Sequence, residues 1–325
     1  MRIVIGREFG PPESYAIEHR DPAPPGPGEV RIAVRAIGVS FVDVLTARGG
    51  YQVKPPLPFI PGSEFAGEVA QVGTDVTHLR PGDRVCAVGF GGVFAESVTV
   101  PAAGAVRIAP AMDFDAASVF LVSYGTAYHA LVQRAGLRSG ETVLVLGAGG
   151  AVGVAAMQVA RALGARVIGS ASTPAKRELV LAAGAHEVLD TQASDWRAQV
   201  KALTAGRGAD VVVDPIGGAM TETAFRSLAW GGRHLVIGFA SGSIGSVPAN
   251  VALLKGAALV GVDIRQFLIH TPAVHADNVA ALMRLHEQGH LAPVIGARFA
   301  FERYVDAMNA AYGGEVAGRV VLTVP

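Results

Sequence analysis

Gly147, Gly149 and Gly153 lie between an apolar run, residues 142–146, and a stretch of helical character, residues 154–163. Glycines so placed let a backbone turn sharply and bring bare N–H groups up to an anion. The free amides and positive dipole end of the following helix add to the attraction. The chemistry implied is the holding of a dinucleotide pyrophosphate, with Gly149, Gly150, Ala151, Val152 and Gly153 as the cradle. The spacing is G-x-G-x-x-x-G, one residue longer than the common form, so the glycines alone also describe an ordinary tight turn. Their context favours the cradle: the motif leaves one strand, opens a helix and is followed by a second apolar strand, residues 166–169.

The end of that second strand speaks to which dinucleotide. Sites for NAD place an acidic residue there to bind the ribose hydroxyls. Residues 168–174 contain no Asp or Glu. A carboxylate would repel a 2′-phosphate, so its absence permits NADPH. Ser170, Ser172 and Lys176 are expected to hold that phosphate by hydrogen bond and charge, while Arg177 reads equally as a solvated helix residue. Thr173 and Pro174 form a helix cap and first turn. Phe239 and Ala240 follow the fifth strand, where the ligand crevice of such a sheet lies. Val262 and Asp263 are expected to offer backbone to the nicotinamide carboxamide, and Asp214 reads as a strand-end turn residue.

The elements that must position these groups fall into two parts. With 325 residues, two domains are the natural expectation. Half the residues are hydrophobic, 17% are charged and the formal net charge is zero, which supports a large core and argues against nucleic-acid or anionic-membrane surfaces. The N-terminal apolar run is too short for a signal peptide and no apolar stretch is long enough to span a membrane. Cys86 is the only cysteine, most simply a small buried apolar residue, and a cytoplasmic protein is expected.

Residues 1–110 are rich in Gly and Pro, with strand-like runs at 29–37, 65–72, 83–88, 94–100 and 105–108, as in a partly open β-barrel. A short helix at 41–48 precedes an extended loop, 49–56, that carries Tyr51. Helices follow at 116–122 and 126–135, interrupted at Tyr124 and Gly125. Strands at 142–146, 166–169, 187–190, 210–214, 234–238 and 258–263 then alternate with helices, the pattern of a doubly wound parallel sheet. The tail, with a helix at 277–288 and a strand at 320–324, is too short for a domain of its own. It is expected to return to the first, giving domains 1–118 with 264–325, and 119–263.

Five further segments carry a family resemblance: residues 38–43, 61–67, 81–85, 124–128 and 318–322. With the glycine turn, they make the chain similar over nearly its full length to the zinc-independent medium-chain dehydrogenase/reductases, and among these to the NADPH:quinone oxidoreductases that include zeta-crystallin. The resemblance implies a GroES-like catalytic domain, an inserted Rossmann domain binding NADPH, a cleft between them and a homodimer joined through the nucleotide domains. Zinc-dependent relatives have Cys and His where this chain has Ser40 and Ser63, and a four-cysteine lobe that is absent here, so no metal site is expected.

Thr126 matches the position beside the nicotinamide, and Arg319 is a candidate second cation for the phosphate. Ser40, Asp43, Tyr51 and Tyr124 are the substrate-side candidates. Asp43 has a plainer alternative, a hydrogen bond to backbone at a helix start, and the tyrosines have packing. Relatives commonly carry Asn at the position of Ser40, which bears on substrate preference. Without a Lewis acid, the acceptor must be polarised by its own conjugation. Quinones qualify first. Other enones or enoyl thioesters form the alternative, and a non-catalytic NADPH-binding structural or regulatory protein is the reading from another class.

Overall fold

The computed structural model describes Met1–Pro325 and divides into two units, Met1–Val122 with Pro293–Pro325, and Ser123–Ala292. The first unit opens with an antiparallel pair, β1 (Arg2–Ile5) and β2 (Ala16–His19). Its organising strand is β3 (Glu29–Val39), along which inward and outward residues alternate as far as Ala36 before both faces become buried. The other strands before the chain leaves this unit are β4 (Glu64–Val72), β5 (Arg84–Val88), β6 (Ser97–Pro101) and β7 (Val106–Arg107). Register shifts near Ile32 and Ala36 bend β3 against β4. One half of β3 pairs with β6, and the other pairs with a strand from the far C-terminus. A core including Ile32, Ile37, Phe65, Phe94 and Phe301 fills the sheet's inner face.

The second unit carries six parallel strands: β8 (Thr142–Val145), β9 (Arg166–Ala171), β10 (Glu187–Asp190), β11 (Ala209–Asp214), β12 (Leu228–Val236) and β13 (Ala258–Gly261). Their order across the sheet is β10-β9-β8-β11-β12-β13. The chain starts in the middle, winds outward, then returns to wind the other way, so the order reverses between β8 and β11. That switch point opens a crevice at the strands' carboxyl ends. Helices cover both faces, which is why β8 is buried throughout and reads as an unbroken apolar run. Leu144, Ile168, Val212 and Phe225 belong to one of its cores. A GroES-like barrel and a Rossmann sheet are therefore both present.

Three elements differ from the sequence reading. The helix break expected at Tyr124 and Gly125 lies earlier: helices span Phe114–Ala117 and Leu121–Tyr128, and the second continues into the π-helix His129–Arg134. Burial of Tyr124 outweighs the modest helix penalty of Gly125. The return to the first unit comes at Pro293, well after residue 264. Helices Ile264–His270 and Pro272–Glu287 are tied into the nucleotide unit: Phe267 stacks on His129 at 3.9 Å, and Asn278 and Gln133 exchange hydrogen bonds of 2.9 and 3.1 Å. After the return, β14 (Ile295–Ala300) lies parallel to β15 (Arg319–Thr323), and β15 is the strand that pairs with β3. The sequence reading had no strand for β1, β2 or β14.

One contact fixes the helix Ala151–Ala162 over β8. A Cβ added at Gly153 would lie 2.4 Å from the carbonyl oxygen of Gly147 and 2.7 Å from Cα of Ala148. Gly153→Val is therefore expected to cost about 2 kcal/mol or more of unfolding free energy, through overpacking against rigid backbone. Urea titration of the variant checks this, and an unshifted midpoint would contradict it.

Candidate functional site

The strand β8 ends at the glycine turn. Gly147 adopts a left-handed φ of +56°, and the amide of Ala148 donates to the carbonyl of Ser170 on β9 at 2.9 Å. Gly150 then starts the helix Ala151–Ala162 with no side chain capping it. The first amides of a helix have no intrahelical acceptor, so this end presents donors and positive dipole at the switch point. Ala151 and Val152 are half-buried, and Gly153 is buried beneath them. This is a cradle for a pyrophosphate.

At the end of β9, Thr173 caps the helix Pro174–Ala182 by accepting from the amide of Lys176 at 3.3 Å. The stem of Lys176 lies along Gly149: a Cβ there would be 3.3 Å from Cβ of the lysine and 3.4 Å from its Cγ. A lysine is thus laid beside the cradle. Arg177 is committed to Asp190 at 3.0 Å, on the neighbouring strand β10. Ser172 is exposed at the same strand end. Ser170 is placed otherwise than expected. It is fully buried and its hydroxyl donates to the carbonyl of Val145 at 3.2 Å, because a polar group inside a parallel sheet must satisfy itself there.

Across the switch point, β11 ends in Asp214, which is buried. Its Oδ1 accepts from the amides of Ile216 at 2.9 Å and Gly217 at 2.8 Å, while Oδ2 accepts from the Thr221 hydroxyl at 3.0 Å and faces Nε2 of His234 at 2.9 Å. Burial pushes this carboxyl up, but the bonds from His234 and the two amides outweigh it and hold Asp214 below its ordinary range. Phe239 is partly exposed on the loop after β12, and the Ala240 amide donates to the carbonyl of Pro215 at 3.2 Å. Val262 donates its amide to Val236 at 2.9 Å, so that group is taken by the sheet, and Asp263 caps the helix Ile264–His270. Thr126 and Tyr124 are buried on the helix Leu121–Tyr128. The Tyr124 hydroxyl donates to Gln158 at 2.7 Å, which makes it a packing tyrosine in the nucleotide unit.

In the barrel unit, a second polar cluster surrounds the start of the helix Phe41–Ala47. Ser40 caps this helix, and Asp43 Oδ2 accepts from the Ser40 amide at 2.8 Å and hydroxyl at 2.7 Å. Ser63 donates its hydroxyl to the other oxygen, Oδ1. Glu64, next along the chain, accepts from Arg319 at 2.5 Å and from the amide of Val122 at 3.0 Å. Asp43, Glu64 and Arg319 are all buried. Arg319 is therefore the counter-ion of a buried carboxylate, which corrects its expected role at the cofactor phosphate. Burial pushes Asp43 up, against the bonds from Ser63 and Ser40 and the charge of Arg319. Burial likewise pushes Glu64 up to about 7, against Arg319, with Asp43 pressing in the same direction as burial. One cation faces two carboxylates, so the cluster keeps a proton to unusually high pH.

Tyr51 sits half-exposed on its loop beside exposed Val53 and Leu57. Sequence reading placed Ser40 and Asp43 among the candidates but treated Ser63 only as a lost ligand position. The bonding of Asp43 to backbone at a helix start was legible, whereas the cap by Ser40 was not read and the bond from Ser63 joins residues twenty positions apart.

Two family models match the chain. One, described as the alcohol dehydrogenase GroES-like domain, matches residues 26–110, and one described as zinc-binding dehydrogenase matches residues 151–280. The mouse protein named quinone oxidoreductase-like protein 2 is 38% identical over 313 residues, covering 96% of this chain and 89% of that protein. Human quinone oxidoreductase is 32% identical over 325 residues, covering 99% and 97%. A mycobacterial structure described as complexed with NADPH superposes with a TM-score of 0.91 at 30% identity, covering 99% of this chain and 100% of that one. The description of the second model implies zinc, and the residues here do not fit that ion. Ser40 and Ser63 spend their hydroxyls on Asp43, Cys86 is buried within β5, and no three His, Cys, Asp or Glu residues are grouped to hold a metal.

Because Glu64 holds its proton more tightly in the folded protein than in the unfolded chain, its contribution to stability is full below its ordinary value of 4.5. It falls as pH rises and is gone above about 7. Thermal unfolding midpoints of wild type and Glu64→Gln between pH 4.5 and 8 test this. Wild type is expected to lose stability across that range relative to the variant, and a gain would refute the assignment.

Proposed function

The chain belongs to the medium-chain dehydrogenase/reductase family, in its quinone oxidoreductase branch, and within that branch we propose that it transfers hydride from NADPH to quinones without a metal. The observation that carries the cofactor is the lysine at the glycine turn: the Lys176 stem on Gly149, beside an uncapped helix start and a β9 end free of acidic residues. Arg177 neutralises Asp190, the nearest acid on the adjoining strand, and so removes a repulsive charge from that edge. The mycobacterial relative with NADPH supports the same cofactor. When bound, NADPH supplies the hydride.

The chain's own residues hold, orient and protonate. The amides of Ala151, Val152 and Gly153 take the pyrophosphate, and Lys176 with Ser172 takes the 2′-phosphate. On the acceptor side we assign Ser40, Ser63 and Asp43, with Tyr51 on its loop. A serine that swings its hydroxyl away from Asp43 donates it to the oxyanion of the reduced acceptor. Acceptors polarised by their own conjugation need no more help than this. Serines at the zinc positions favour such acceptors over simple alcohols, because neutral hydroxyls are poor zinc ligands.

The second partner is another copy of the chain. β13 closes one edge of the parallel sheet and pairs with β12 alone. Around this edge Leu259 is 52% exposed, Trp230 83% and Leu253 80%, an unusual loss for large apolar side chains. An unpaired strand edge flanked by apolar groups matches itself about a two-fold axis. No helix is long and apolar enough to cross a membrane, and a cytoplasmic location goes with this reading.

Steady-state NADPH oxidation against a quinone panel and an enone panel tests the activity. Turnover with quinones is expected. Preference for enones would move the assignment to another activated double bond, and tight NADPH binding without turnover on either panel would point to a non-catalytic protein. Lys176→Ala is expected to weaken NADPH by about tenfold while leaving NADH within about twofold, as loss of one charge-assisted bond implies. Equal losses would discredit the lysine. In light scattering the wild type is expected at twice the chain mass and Leu259→Lys at the mass of one chain.

A further inference from the structure

We infer that His234, buried beneath the sheet's carboxyl edge, is a positioning residue for the dinucleotide, acting through Asp214 and the turn that Asp214 holds. This rests on the cofactor reading above.

Asp214 collects four donors: two backbone amides, one hydroxyl and the imidazole. A carboxylate that is 1% exposed can stay ionised only when its lone pairs are filled in this way. His234 is fully buried, and its Nδ1 has no hydrogen-bond partner. The proton must therefore sit on Nε2, where Asp214 receives it, since a second proton on Nδ1 would be a buried donor without an acceptor. The imidazole thus donates from Nε2 to a fixed anion.

The turn that this anion holds braces two different loops. On one side, Ile216 is seated on the first glycine of the cradle: a Cβ at Gly147 would lie 2.5 Å from Cδ1 of Ile216. On the other, the turn's carbonyls take the chain after β12. The carbonyl of Asp214 accepts from the amide of Ile237 at 3.0 Å, that of Pro215 from Ala240 at 3.2 Å, and that of Ile216 from Ser241 at 3.0 Å. Gly217, at a φ of +69°, makes room for the Phe239 ring, which would be 2.7 Å from a Cβ at that position. Both the pyrophosphate turn and the Phe239–Ala240 segment are therefore registered against a turn fixed by one carboxylate. Lys176 and the end of β9 meet the glycine turn at Gly149 and Ala148, on the side away from the Gly147–Ile216 contact.

The prediction separates positioning from mere folding. His234→Leu removes one donor from Asp214 and is expected to weaken NADPH by about tenfold, measured by the fluorescence of the bound nucleotide. Adenosine 2′-phosphate, which tests the Lys176 side alone, is expected to bind within about twofold of wild type. His234→Gln, whose amide can donate from a similar distance, is expected to restore most of the NADPH affinity. Thr221→Val, which removes a different donor from the same carboxylate, is expected to reproduce the split at smaller size, and it decides the matter if His234→Leu does not fold. Unchanged NADPH affinity with only a lowered melting temperature would overturn the inference, as would equal losses on both ligands or no rescue by Gln. Failure of the wild type to bind NADPH at all would instead strike the cofactor reading.

Discussion

The nucleotide unit depends on one close approach of backbone to backbone. The helix Ala151–Ala162 can lie against the end of β8 only because Gly153 has no side chain to strike the carbonyl of Gly147. That contact sets the height of the helix over the sheet, and so the position of its uncapped amides. Gly149 serves a related purpose for the neighbouring helix, since its bare Cα is the surface on which the Lys176 stem rests. The residues offered to a phosphorylated dinucleotide are placed by missing atoms as much as by present ones.

The barrel unit follows a different rule. The donors of its buried polar cluster are matched to the cluster's own carboxylates. Ser40 and Ser63 both point their hydroxyls at Asp43, and Glu64 is neutralised by Arg319. Removing Arg319 alone would leave two carboxylates buried together, which is far more costly than never having built the cluster. The single cation for two acids also explains why burial wins at both carboxyls and pushes them up.

Much of this was legible in the sequence where the signal was local. The alternation of β3, the unbroken apolar run of β8 and the cap formed by Thr173 and Pro174 each announce one element. The strand–turn–helix context identified the cradle despite its lengthened spacing. What escaped was set by contacts distant in sequence. Ser170 has the composition of a phosphate ligand, yet its place in the interior of β9 turns its hydroxyl onto Val145. Arg319 has the composition of a second cation for the phosphate, because nothing in its neighbours reveals that Glu64, 255 positions earlier, would bury against it. The π-helix and the late return at Pro293 were hidden for the same reason, since His129, Gln133, Phe267 and Asn278 meet only after folding.

The barrel is assembled from two stretches of chain, Met1–Val122 and Pro293–Pro325, with the whole nucleotide unit encoded between them. On the ribosome, β3 emerges long before β15, the partner for its second half. The Rossmann sheet can complete itself while that hydrogen-bonding edge still waits, so the barrel is sealed only after β15 has been made. A chain cut short before β15 keeps an intact nucleotide unit but carries an open strand edge, the kind of surface that chaperones must shield during synthesis.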